Sequence, residues 1–298
     1  MTSASPTGTQ VHLQLGDVSA QIAQVGASLR SLQIGGVDLV APYPLDAPTP
    51  SCSGVVLVPW PNRVRDGRWS DEGVERQLAI TEPKFSNASH GLLRFTAYEI
   101  TEGASSATLR AWVVPQTGYP YLLETSVTYT LRADGIDVEH VITNHSDTAA
   151  PVAVGTHPFL TIGGVAEQDL VLRVPARTRF ETDERMLPVG THPADASLRE
   201  GVRLGDVSLD TGFTDLDRDP DGLVRHTLTA PDGRRLTLWQ GEGFDVVQVF
   251  TTDKYPGRPL AVAIEPMTAP ADALNSGRGL RRLAPGETWA LHWGLTLD

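Results

Sequence analysis

The 298-residue chain has one cysteine, Cys52. No intramolecular disulfide can therefore form, and the fold rests on core packing, which suits a reducing compartment. No stretch approaches the roughly 18 apolar residues of a membrane span. The opening MTSASPTGTQ lacks the basic-then-apolar pattern of a secretory signal. Positive charge is scarce: 24 Lys and Arg stand against 36 Asp and Glu, a net charge of −12. That balance argues against phosphate-neutralising nucleic-acid binding, although a local basic pocket remains compatible with it. Only Lys84 and Lys254 are lysines. Helical periodicity is also scarce, the best candidate being a turn or so near Ala194 to Glu200. These absences predict a soluble, cytoplasmic protein, a monomer or weak homodimer, with neither a nucleic-acid nor a membrane partner.

What is abundant is punctuation. The 28 glycines and 22 prolines run through the whole length, breaking it into many short elements. Between them the period is two. In Leu123 to Leu131 the odd positions are Leu, Thr, Val, Tyr and Leu, and the even ones are Glu, Ser, Thr and Thr. An Arg-Ala-Asp-Gly turn follows, then Ile136, Val138, His140 and Ile142 alternate again, predicting a β-hairpin. Similar pairs flank Gly16-Asp17, Gly35-Gly36 and Pro231-Asp232-Gly233. Trp289, Leu291, Trp293, Leu295 and Leu297 form one face of a closing strand. With no repeat, linker or low-complexity tract, the chain reads as one all-β domain, a large antiparallel sandwich of about 15 to 20 strands, with residues 1–10 a flexible N-terminus.

Nucleotide-binding glycine loops, the G-x-S-x-G elbow, H-E-x-x-H and C-x-x-C are all missing. Cys52 has no activating partner in its own segment and reads as an inert thiol. Among the eight histidines, His140 belongs on the apolar face of its strand, while His12, His145, His192 and His226 read as surface residues and His292 as ordinary. His90, before Gly91, and His157, between Gly-Thr and Pro-Phe, lie where a regular ladder cannot continue. Glu265 ends the apolar run Ala261 to Ile264 before Pro266. Desolvation there raises a carboxyl toward the range of a general base, and a structural carboxylate bonded to backbone amides is the equal alternative.

Five non-alternating segments occur in order: PNRVRDGRW, NASHGL, GTHPFL, LDTGF and IEPMTAPADALN. Together they resemble the aldose 1-epimerases, the galactose mutarotase family, from about Val18 to Leu297. The resemblance implies a large antiparallel β-sandwich with an open cleft, acting without metal or cofactor on the anomers of a free hexose such as glucose or galactose. It implies Glu265 as the base at the C1 hydroxyl, His157 as the acid at the ring oxygen, and His90 as a second histidine at the reacting end. It also implies that the Asn62-Arg63 pair and Asp210 bind sugar hydroxyls.

Two family patterns are altered here. His157-Pro158 is followed by Phe159 where many members have Tyr-Phe. Leu209-Asp210 is followed by Thr211-Gly212-Phe213 where many have His-x-Phe, which makes Asp215 a rival to Asp210. Trp60, Trp69 and Trp239 are candidates for a sugar platform, with a core role the alternative for each. Arg63, Arg65, Arg68 and Arg94 could instead serve an anionic sugar, and a non-catalytic carbohydrate-binding protein is a further alternative. If Glu265 and His157 span C1–O and the ring oxygen, their nearest atoms should lie about 5–8 Å apart.

Overall fold

A computed structural model describes residues 5–298. Of the N-terminal stretch expected to be flexible, residues 1–4 lie outside the described residues. Thr7 is buried, and Gln10 already pairs with Ala23.

Two large antiparallel sheets dominate. One has nine strands and contains the expected hairpin, Leu123–Arg132 and Gly135–Asn144, joined at Arg132↔Gly135. Next to it lies the closing strand Thr288–Leu297. The other sheet has eight strands, with Asp210–Leu216, Val246–Thr252 and Ala261–Met267 adjacent at its centre. A four-stranded meander over Gln10–Leu15, Val18–Ala23, Ser28–Ile34 and Val37–Asp38 precedes both. Its turns fall at the predicted Gly16-Asp17 and Gly35-Gly36.

Alternation sends one face of each strand to a shared core. Val127, Val138, Leu291 and Leu295 of the nine-stranded sheet join Phe213, Val247, Val249, Val262 and Ile264 of the eight-stranded sheet in one apolar cluster. Full burial of such a side chain contributes about 1.5–3 kcal/mol. The opposite face of the eight-stranded sheet is thereby free for polar residues.

Three expectations need correction. There are 27 strands among the described residues, not 15 to 20, because the non-alternating segments themselves contain strands of two or three residues such as Arg63–Arg65, Gly155–Thr156 and Phe159–Leu160. Glu265 does not end its strand, which continues through Pro266 to Met267. His226 is buried, not on the surface: its even-numbered neighbours on Val224–Thr229 face the core, and its Nε2 meets Gln240 Oε1 at 3.1 Å. The helical turn is present as Ala196–Glu200, capped by Asp195, whose carboxylate accepts from Ser197 N.

Candidate active site

Register builds the centre of the site. On one flank Gln248 pairs with Glu265, and Gly212 with Gln248. On the other, Gly155 pairs with Met267 and Phe159 with Ala263. His157 lies midway between Gly155 and Phe159, so the same register sets it opposite Glu265. Gly212, Gln248, Glu265 and His157 thus form a row across four chain segments. Their sheet neighbours Phe213, Val247, Val249 and Ile264 point the other way, into the core. The row closes with His157 Nε2 3.3 Å from Glu265 Oε1. His157 is pinned through its backbone, its N–H donating to Val55 O and its carbonyl accepting from Gly54 N. Its ring stacks on Phe159, centroids 5.3 Å apart, and Phe159 packs on Tyr255.

Two loops bring the remaining groups. His90 has φ of 61° and donates its backbone N–H to Asn62 O at 2.8 Å. Gly91 follows at φ 70°, where an added Cβ would lie 2.1 Å from Val58 O. The tight approach of these two loops therefore requires glycine there. It turns the His90 ring onto His157, edge to face at 5.6 Å. Arg63 is gripped by Glu82, Nε to Oε2 at 2.8 Å and a terminal nitrogen to Oε1 at 3.0 Å, with Asp210 Oδ2 4.0 Å away. Asp210 itself accepts from Gln248 Nε2 at 2.6 Å. The groups line one cleft of about 800 Å³, within the range of small-molecule sites.

Burial sets the electrostatics. The Glu265 carboxyl is pushed well above its ordinary range, first by desolvation and then by Asp210, with Arg63 opposing. Desolvation lowers His157 to about 4, and Arg63 adds to the effect. His90 is also lowered, by desolvation and by His157, Arg94 and Arg63. Desolvation alone favours a neutral acid beside a neutral imidazole, whereas their contact favours the ion pair. Both forms hold the same number of protons, so the two residues titrate as a unit. Glu265 Oε2 and Nδ1 of His157 and His90 are buried with no hydrogen-bond partner among the described residues. Such atoms are costly to leave unpaired in a structural role.

Six of the eight residues singled out from the sequence meet here: Glu265, His157, His90, Arg63, Asn62 and Asp210 all line the cleft. Two do not. Trp239 lies on the nine-stranded sheet, paired with Gly294 and packed over it, so it cannot be a platform in this cleft. Asp215 is exposed at the far end of Asp210–Leu216, five residues from Asp210, which takes the place on the cleft. Trp60 and Trp69 are core residues. Arg65 is directed to Asp183 and Asp272, and Arg68 to Gln77. The contact between Glu265 and His157 is also shorter than 5–8 Å, because direct cross-strand neighbours touch where the expectation placed two sugar oxygens between them. Sequence reasoning missed Glu82, whose four-residue loop to Asn87 carries no pattern pointing to Arg63. It missed Gln248 too, although a lone polar residue in VVQVF was a usable signal of the same kind as Glu265.

The sequence profile of aldose 1-epimerases matches residues 9–296. The chain is 34% identical over 307 aligned positions to the uncharacterized protein YihR of Escherichia coli (strain K12), covering 99% of this chain and 95% of that one. A galactose mutarotase-like protein from Clostridium acetobutylicum has a similar structure, with a TM-score of 0.86 at 18% identity, over 97% of this chain and 95% of that one. Galactose 1-epimerase from Lactobacillus acidophilus NCFM gives a TM-score of 0.80 at 17% identity, over 97% and 94%. With the profile spanning nearly the whole chain, this all-β protein belongs to the aldose 1-epimerase family.

Proposed function

We propose that the chain interconverts the α and β anomers of a hexopyranose by opening and reclosing its ring. The observation that carries this reading is the buried Glu265–His157 contact at 3.3 Å in a cleft also lined by Asn62, Arg63 and Asp210. In the ion-paired form, Glu265 takes the proton of the C1 hydroxyl while His157 gives one to the ring oxygen. The bond between C1 and the ring oxygen breaks, leaving an aldehyde at C1 and a hydroxyl on C5. The pair is then neutral, the form that burial favours. Rotation about C1–C2 presents the other face of the carbonyl. The C5 hydroxyl adds to it, returning one proton to His157 while Glu265 protonates the new C1 oxygen. No atom is lost and no electron leaves the substrate, so the reaction requires no redox cofactor, and Glu265 and His157 between them carry both proton transfers. Asp210 accepts from sugar hydroxyls and is itself oriented by Gln248. Asn62 and Arg63 supply further polar contacts, and Phe159 supports the His157 ring.

The test is the decay of optical rotation of freshly dissolved α-glucose and α-galactose. Wild-type protein should accelerate it. Glu265→Gln and His157→Asn should each reduce kcat about 10²–10⁴-fold, the usual contribution of a positioned acid or base, with a smaller effect on KM. Retention of full turnover by both variants would remove the acid/base assignment. Saturable sugar binding with no acceleration by wild type would make the protein a carbohydrate binder.

A further inference from the structure

Most cations outside the cleft sit in an ion pair, whereas most of those lining it do not. Four line it: Arg63, Lys84, Arg94 and Lys254. Both lysines of a 298-residue chain with net charge −12 are among them. Arg63 is neutralised by its two bonds to Glu82. The other three make no ion pair within 4.0 Å among the described residues. Arg94 is the deepest of these. It is half-buried, propped over the ring of the exposed Phe95 at 4.7 Å, and its only side-chain hydrogen-bond partner among the described residues is Cys52 Sγ at 3.9 Å. With five donors and one weak sulfur acceptor from the protein, this guanidinium has donors left over to meet a ligand in the cleft.

Four carboxylates, Glu82, Asp210, Asp253 and Glu265, line the same cleft, and among the described residues none lies within 4.0 Å of Arg94. Asp210 and Gln248 stand on Glu265's side of the row, across the strand pairings. Arg94 stands on the His90 side, where its charge is felt at His90 and at Cys52. Under the reading above, His157 serves the ring oxygen. C5 is bonded to that oxygen and carries C6, so a substituent on C6 extends along the His157 and His90 side, toward Arg94. Neutral hydroxyls need no uncompensated guanidinium, whereas an oxyanion does.

We propose that the preferred substrate is an aldose bearing an anionic group on C6, bound by Arg94 with Lys84 and Lys254 at the cleft mouth. This rests on the epimerase reading of the same cleft. Arg94 is thus a specificity-determining residue, and the two lysines add longer-range attraction that salt screens.

The experiment compares exchange between α and β anomer signals, by magnetisation transfer in NMR, for glucose, glucose 6-phosphate and glucuronate, with wild type and Arg94→Gln. Wild type should show a higher kcat/KM for at least one anionic sugar than for glucose. The two acids distinguish a phosphate from a carboxylate as the recognised group. Arg94→Gln should reduce the anionic-to-neutral ratio of kcat/KM by about tenfold to a hundredfold, the range of a charge-assisted hydrogen bond. Rising ionic strength should raise KM for the anionic sugar more than for glucose. Glucose turned over as well as both acids, or a preference undiminished in Arg94→Gln, overturns this proposal and leaves the epimerase reading standing. Acceleration of none of the three sugars overturns both.

Discussion

Glu82→Gln separates a structural ion pair from one that sets the chemistry of the cleft. Arg63 and Glu82 side chains are 14% and 23% exposed, and two nitrogens of Arg63 meet the two carboxylate oxygens at 2.8 and 3.0 Å. The amide of glutamine keeps one acceptor and turns an NH₂ group toward the guanidinium. One charge-assisted bond is lost and the other weakened, a cost of about 2 kcal/mol. An unfolding entropy of about 2.1 cal/mol/K per residue over this length gives about 0.6 kcal/mol per degree, so Tm should fall by about 3 °C.

The larger effect is expected in the cleft. A released Arg63 can close its 4.0 Å gap to Asp210 and occupy the carboxylate assigned to sugar hydroxyls, raising KM several-fold. Loss of the Glu82 charge also makes the cleft around Arg63 one unit more positive, whether or not Arg63 turns to Asp210. Positive charge at Arg63 lowers the proton affinity of both Glu265 and His157, so both limbs of the pH profile of kcat/KM should move to lower pH. Thermal unfolding and pH-dependent anomer exchange measure the two consequences. A 3 °C loss with KM and both limbs unchanged would refute the electrostatic argument and leave Glu82 a purely structural residue.

Asp210→Asn should raise KM with less effect on kcat, whereas Asp215→Asn, on an exposed strand end, should alter neither; the reverse pattern would reassign the hydroxyl-binding carboxylate. Gly91→Ala should lose about 3 kcal/mol in denaturant unfolding, since its Cβ would meet Val58 O at 2.1 Å at a φ of 70°. Burial lowers His140 to about 3 and His226 to about 4 from an ordinary 6.5. Because a folded state with depressed histidines binds fewer protons than the unfolded chain, stability should be complete above pH 6.5 and fall as pH drops toward 4, by about 1.4 kcal/mol per pH unit for each histidine. His226→Gln should flatten that slope by about one proton, and an unchanged slope would show that His226 does not contribute to it.

The architecture was legible because its signals are local. Period-two alternation and glycine turns place the hairpin at Arg132↔Gly135 and the meander turns at Gly16-Asp17 and Gly35-Gly36 to the residue. The helix beginning after Asp195 was visible in the same way. His226 was not, since its fate depends on which face of Val224–Thr229 meets the core. Glu265 was legible as a carboxyl in an apolar strand, and His157 as a histidine where the ladder breaks. That the two touch was not legible, because 108 positions separate them and only the antiparallel register of Gly155↔Met267 and Phe159↔Ala263 makes them neighbours.

The sequence by itself thus determined the class of fold, its turns, and a short set of polar residues stranded among apolar ones, since each depends on chemistry within a few residues. Tertiary structure decided which of them meet. It removed Trp239 to the nine-stranded sheet and left Asp215 exposed. It brought in Gln248 by strand pairing and Glu82 through Arg63. It also left Arg94 facing the cleft without a carboxylate while pairing Arg63. Those outcomes turn on register, on which face of a strand meets the core, and on where loops cross. All are long-range quantities, fixed only when the two sheets close on a common core and leave the opposite face of the central strands to carry the site.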